Sequence, residues 1–206
     1  MRAHMTVHLE EAAALQAAIA RGWLVDARER ARWFASHDME APPSWQPYLD
    51  DMRYAAMRIA RARDVATAGA QIGLLGRACG ACHEANAATP AFQYDPPPTD
   101  DATLEAQMRR HQWAAARMWE GVVGPADAAW QDGARVMATT RLDVARTAHE
   151  KPNADVFELA ERLRDQATQA LTMTARDARA RFYGEMMETC ASCHSIVRPI
   201  ARAAAR

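Results

Sequence analysis

Apolar residues recur along this chain at the three-and-four spacing of an amphipathic helix. Met5, Leu9, Ala12, Leu15, Ala18 and Ile19 predict a first helix over residues 3–21, interrupted at Gly22. Leu24, Ala27, Ala31 and Phe34 predict a second over 24–37, after which Ala41-Pro42-Pro43-Ser44 reads as a loop. A third is expected from Pro47, tolerated in a first turn, to Arg63, with Tyr48, Met52, Ala55, Ala56 and Ile59 facing inward. Asp64 is placed to cap a fourth over 65–87, which Thr89-Pro90 ends.

The run Tyr94-Asp95-Pro96-Pro97-Pro98-Thr99-Asp100-Asp101 breaks the pattern. Three consecutive prolines cannot continue a helix and make a stiff spacer, so the expected division is 1–93, a linker at 94–101, and 102–206. Asp100 or Asp101 is expected to cap a fifth helix over 102–123, stopped at Gly124-Pro125. A sixth follows over 126–138, then a longer connection over 139–152. Asn153 is placed to cap a seventh, with Val156, Phe157, Leu159, Ala160 and Leu163 apolar, and an eighth over 176–197 ends before Pro199.

The two halves read as a repeat of four helices each. Met-x-x-His opens both, but two registers compete: Met5 and His8 can match Met108 and His111, or His4 can match His111 and bring Trp23 opposite Trp130. Ala, Arg, Glu, Leu and Met dominate the composition, and β-branched and aromatic residues are sparse, which supports helices over strands. The length of 206 residues suffices for a real core. The net charge of −1 leaves no nucleic-acid footprint. No run of about 20 apolar residues is present, so no membrane span is expected.

The chemistry lies in a string that occurs twice: Cys79-Gly80-Ala81-Cys82-His83 and Cys190-Ala191-Ser192-Cys193-His194. All four cysteines of the chain fall in these strings, one on the last helix of each half, and Gly73 and Gly184 each stand six residues before the first cysteine. C-x-x-C-H is the pattern of covalent c-type haem attachment. On a helix the two thiols and the imidazole share a face, so the thiols can add to the two vinyl groups of one porphyrin while the imidazole reaches the metal. A redox disulfide would want a βαβ context, and no strand pattern surrounds either string. A structural zinc usually joins pairs across one short finger, whereas most of a domain separates these, and neither alternative explains the terminal His. Two covalent haem c groups are therefore expected, with His83 and His194 as proximal ligands.

The four-helix half with C-x-x-C-H near the end of its last helix resembles the class II cytochromes c, the cytochrome c′ group, and nearly the whole chain is similar to two such units in tandem. Met108-Arg109-Arg110-His111-Gln112-Trp113 and Arg117-Met118-Trp119-Glu120-Gly121 are also similar to a bacterial diheme group of this type. The resemblance implies an all-α fold of two tandem four-helix bundles, with the first helix of each half lining the distal face. A Met there implies a six-coordinate electron carrier; an apolar residue there leaves the metal open to small gases. Candidate distal ligands are His111, then Met108 or Met118, in the second half, and His4, then His8, then Met5, in the first. Met186 and Met187 are expected to line the haem pocket, Arg109 or Arg110 to pair a propionate, and Trp113, Trp119 and Trp130 to pack beside the porphyrin or between helices. His37 and His149 are expected at the surface.

The expected activity is one-electron transfer between redox partner proteins rather than enzymic turnover. The alternatives are nitric oxide or carbon monoxide binding at an open metal and, more weakly, a diheme peroxidase. Attachment to C-x-x-C-H normally happens outside the bacterial cytoplasm, which implies a periplasmic location; Met1-Arg2-Ala3-His4 begins no apolar leader, so a removed signal peptide is inferred. The protein is expected as a monomer or a homodimer.

Overall fold

The computed structural model describes residues 2–37, 41–144 and 154–204, the side chains of 2–4 and 198–204 aside. The chain is all-α, with eight α-helices and no strand among the described residues. They are α1 (Arg2–Ala20), α2 (Leu24–Ser36), α3 (Gln46–Ala60), α4 (Val65–Ala85), α5 (Leu104–Val123), α6 (Asp127–Thr139), α7 (Ala154–Ala170) and α8 (Arg176–Ala204). None of the described helices is long and apolar enough to cross a membrane.

Local signals set most of the boundaries. Gly22, at φ +73°, closes α1 with a Schellman motif in which Trp23 N–H donates to Ala18 O (2.8 Å) and Gly22 N–H to Ile19 O (2.9 Å). Asp64 Oδ1 accepts from Thr67 N–H at 2.7 Å and so caps α4 as its sequence position suggests. At α5 the cap is Thr103 instead of Asp100 or Asp101: its hydroxyl accepts from Ala106 N–H (3.3 Å), while Asp101 accepts from Thr103 N–H (3.0 Å) one step earlier. α8 does not stop before Pro199 but runs on to Ala204 through an alanine-rich tail of high helix propensity. The proposed Asn153 cap lies outside the described residues.

Consecutive helices pack in order, α1 to α4 and α5 to α8, but the most extensive contact of all joins α4 to α8. One apolar core runs without a break through both halves, from Leu15, Phe34 and Ile59 to Met118, Trp130 and Met137. The α4–α8 crossing is backbone on backbone. A Cβ at Gly69 would lie 2.8 Å from Glu188 N, and one at Gly73 would strike the Ala180 carbonyl and lie 3.2 Å from Gly184 N. Gly184 answers in kind: a Cβ there would lie 2.7 Å from Ala70 O. Rising α4 numbers meet falling α8 numbers, so the helices are antiparallel, and Arg176 at the start of α8 pairs with Glu84 at the end of α4.

The 94–101 segment is no free spacer. It lies along α5, where Trp113 Nε1–H donates to Asp95 O (2.9 Å), Arg110 donates to Pro98 O (2.5 Å), and the Arg117 guanidinium sits 4.9 Å from the Tyr94 ring centroid. Its prolines leave carbonyls without helical partners, and side chains of α5 supply the donors.

Two outcomes test this packing. Gly→Ala in a free helix stabilises by about 1 kcal/mol; Gly73→Ala is expected to destabilise by about 1–3 kcal/mol through overpacking, and denaturant melts read the sign directly. Asp64→Ala is expected to cost about 1 kcal/mol at neutral pH. The Thr67 N–H bond holds the Asp64 carboxyl below its ordinary value, so the cap contributes fully above the unfolded pKa and fades as pH falls through the lower folded one. The stability gap between parent and variant should accordingly shrink in acid melts below about pH 4.

Candidate functional site

Both C-x-x-C-H strings lie wholly on helices, the first near the end of α4 and the second in α8, and all four cysteines are free thiols. Helical geometry sets each pair and its histidine on one face. Gly73 to His83 and Gly184 to His194 run the same distance from the crossing in opposite directions. At 1.5 Å per residue the two histidines stand about 30 Å apart along the helices. The pairs therefore do not converge on one ion, and no group of three His, Cys, Asp or Glu side chains capable of holding a metal occurs among the described residues.

In the second half the residues singled out from the sequence line one apolar cavity of about 290 Å³. Cys190, Cys193, His194 and Thr189 come to it from α8, and Met108, His111 and Ala115 from α5 opposite. Met137, Leu142, Val144, Val156, Leu159 and Leu163 complete an apolar wall. Thiols, an imidazole beside them and a second imidazole and a thioether across an apolar space form a donor set whose chemistry fits a haem in this half.

His111 is 7% exposed, and its Nε2 lies 2.9 Å from Thr140 O. A carbonyl only accepts, so Nε2 carries the proton and the lone pair of the neutral ring is on Nδ1. Burial pushes the pKa of His111 down, against the Thr140 bond, which favours the charged ring. Arg110 Nε donates to Thr140 Oγ1 (3.0 Å), anchoring the same turn.

Helix bounds favour one register of the repeat: α2 and α6 coincide when the halves are offset by 103 residues. His8 is 6% exposed and takes the place in α1 that His111 takes in α5; in the same register Met5 matches Met108, Phe34 matches Met137 and His37 matches Thr140. His8 packs edge-on against Trp33, Phe34 and His37, with ring centroids 5.1, 5.6 and 5.3 Å away, and His37 stacks on Trp33 at 4.1 Å. His37 is thus half-buried in an aromatic cluster rather than a surface residue. Its position on the inner face just past α2, over a Trp at i−4, was the available signal. The His4 side chain and His149 lie outside the described residues.

On the first string, His83 Nδ1 lies 2.6 Å from the Val123 carbonyl at the end of α5. The proton must be on Nδ1, which leaves the lone pair on Nε2, where a metal could bind. This is the arrangement a haem-ligating imidazole needs. The carbonyl is one of the helix-end acceptors that have no intrahelical donor. The second string has a related neighbour: a Cβ at Gly22, the end of α1, would lie 3.4 Å from His194 Cβ.

Five candidate pocket residues are placed elsewhere. Met186 and Met187 are wholly buried in the interhelical core, Met187 against Gly69 and accepting from Gln16 Nε2 at 3.7 Å, because the antiparallel crossing turns that face of α8 towards α4. Trp113 holds the 94–101 segment, and Arg109 pairs with Glu105 at 2.6 Å on an exposed helix face. Met118 belongs to the core; Trp119 packs on Tyr183, and Trp130 Nε1–H donates to Ala170 O (2.9 Å), so both lie between helices.

Desolvation pushes the Cys79 and Cys190 thiols up to about 12, and raises Cys82 and Cys193 as well. In protein without thioether bonds, alkylation at pH 8 is expected to label Cys82 and Cys193 before Cys79 and Cys190, because the thiolate is the reacting form. Peptide mass spectrometry over time reads the order, and equal rates would contradict it. No family model, curated protein or solved structure matches this chain in the comparisons made.

Proposed function

We propose that this chain is a diheme c-type cytochrome of two tandem four-helix bundles, similar to class II cytochromes c, that passes single electrons between redox partner proteins in the periplasm. Bound haem supplies a one-electron Fe(III)/Fe(II) couple. The protein's part is to attach, orient and enclose. Cys79 and Cys82 on α4, and Cys190 and Cys193 on α8, would form the thioether links, and His83 and His194 would hold the metal from the same side. Val123 fixes the tautomer of His83 because its carbonyl accepts a hydrogen bond from Nδ1–H. The apolar wall of the second cavity lowers the polarity around that site.

The observation that carries this reading is the convergence of Cys190, Cys193 and His194 with His111 and Met108 on one apolar cavity. His111 is the proposed distal ligand of the second site and His8, its buried counterpart in the repeat, that of the first. Ligation of His111 through Nε2 requires it to leave Thr140 O. That bond favours a second reading, in which His111 stays on Thr140 and the second metal is open to nitric oxide or carbon monoxide.

Optical spectra of the ferrous protein with and without carbon monoxide separate the two. Electron transfer through closed sites predicts low-spin spectra unaffected by the gas. His111→Ala should then bind one carbon monoxide per chain. Stoichiometric binding by the parent protein would favour the open-site reading, and a His111→Ala spectrum identical to the parent's would remove His111 as a ligand.

A further inference from the structure

We infer that the second half of the chain sets the reduction potential of the first site, through the Val123 carbonyl. This rests on the haem reading above and adds a positioning role to it. The string that would carry the first haem belongs to α4, yet the acceptor that holds its imidazole belongs to α5, across the 94–101 segment, at 2.6 Å. Val123 closes α5, where the aligned peptide dipoles concentrate partial negative charge. A carbonyl there draws the Nδ1 proton, makes the other ring nitrogen a stronger donor, and so favours Fe(III) over Fe(II). The contact depends on the absence of a side chain inside the string itself: a Cβ at Gly80 would lie 2.5 Å from Val122 O, so only glycine lets the end of α5 approach this closely.

Gly80→Ala tests this in the full chain with both haems attached. Cys79, Cys82 and His83 are untouched, and alanine already occupies the matching place, Ala191, in the second string. The added methyl displaces the end of α5 and stretches the His83–Val123 bond. A spectroscopic redox titration should then show one of the two reduction steps moved to higher potential and the other unchanged. Two attached haems with both steps unmoved, or with both moved together, overturn this inference and leave the functional reading standing. A purified chain that carries no haem overturns both.

Should Gly80→Ala fail to fold, isotope-edited NMR of the parent protein decides. The His83 Nδ1 proton is expected to exchange slowly with solvent and to show cross-peaks to Val123 and Gly124 protons. A fast-exchanging proton without those cross-peaks overturns the inference.

Discussion

Gly73 and Gly184 bring two helix backbones so close that no side chain fits between them, and the rest of the molecule is arranged around that contact. Helices that meet at glycine gain dispersion contacts along a whole turn, and an antiparallel pair leaves each free end on the opposite side. Each free end here carries a C-x-x-C-H string. The same six-residue spacing from glycine to first cysteine on both helices places the strings symmetrically about the crossing. Each string then meets the first helix of the other half near its C-terminal end, His83 at Val123 and His194 at Gly22.

The two sites nevertheless differ in their surroundings. The second has an apolar cavity between α5 and α8 with His111 on its wall. In the first half, the counterpart His8 sits in a ring cluster with Trp33, Phe34 and His37. An imidazole among aromatic edges and one on a backbone carbonyl do not cost the same to move, so two haems, if bound here, would differ in surroundings and need not share a potential. The roughly 30 Å between the histidines along the helices means that any internal relay depends on the groups between, among them Trp119 and Tyr183, whose rings lie 5.4 Å apart in the shared core.

Much of this was legible in the sequence because it was local. The 3.6-residue period gave the helices, Asp64 announced a cap, and the repeated glycine spacing marked the crossing without saying what it was for. What escaped was non-local. Met186 and Met187 sit one turn before Cys190, and only the direction of the α4–α8 crossing decides that they face the core. Trp113 was taken by the proline segment, whose backbone needs donors that periodicity does not record. That His8 is buried required the packing of α1 on α2. The Val123 carbonyl carries no sequence signal at all, since every residue has one.

The central claim is that each string is joined to porphyrin by thioether bonds. The intact mass of the full chain, produced in a host competent in cytochrome maturation and measured under denaturing conditions, tests it most directly. The account predicts the mass of the polypeptide plus two haems, with peptides containing Cys79–His83 and Cys190–His194 each carrying one. A mass equal to that of the bare polypeptide would contradict it.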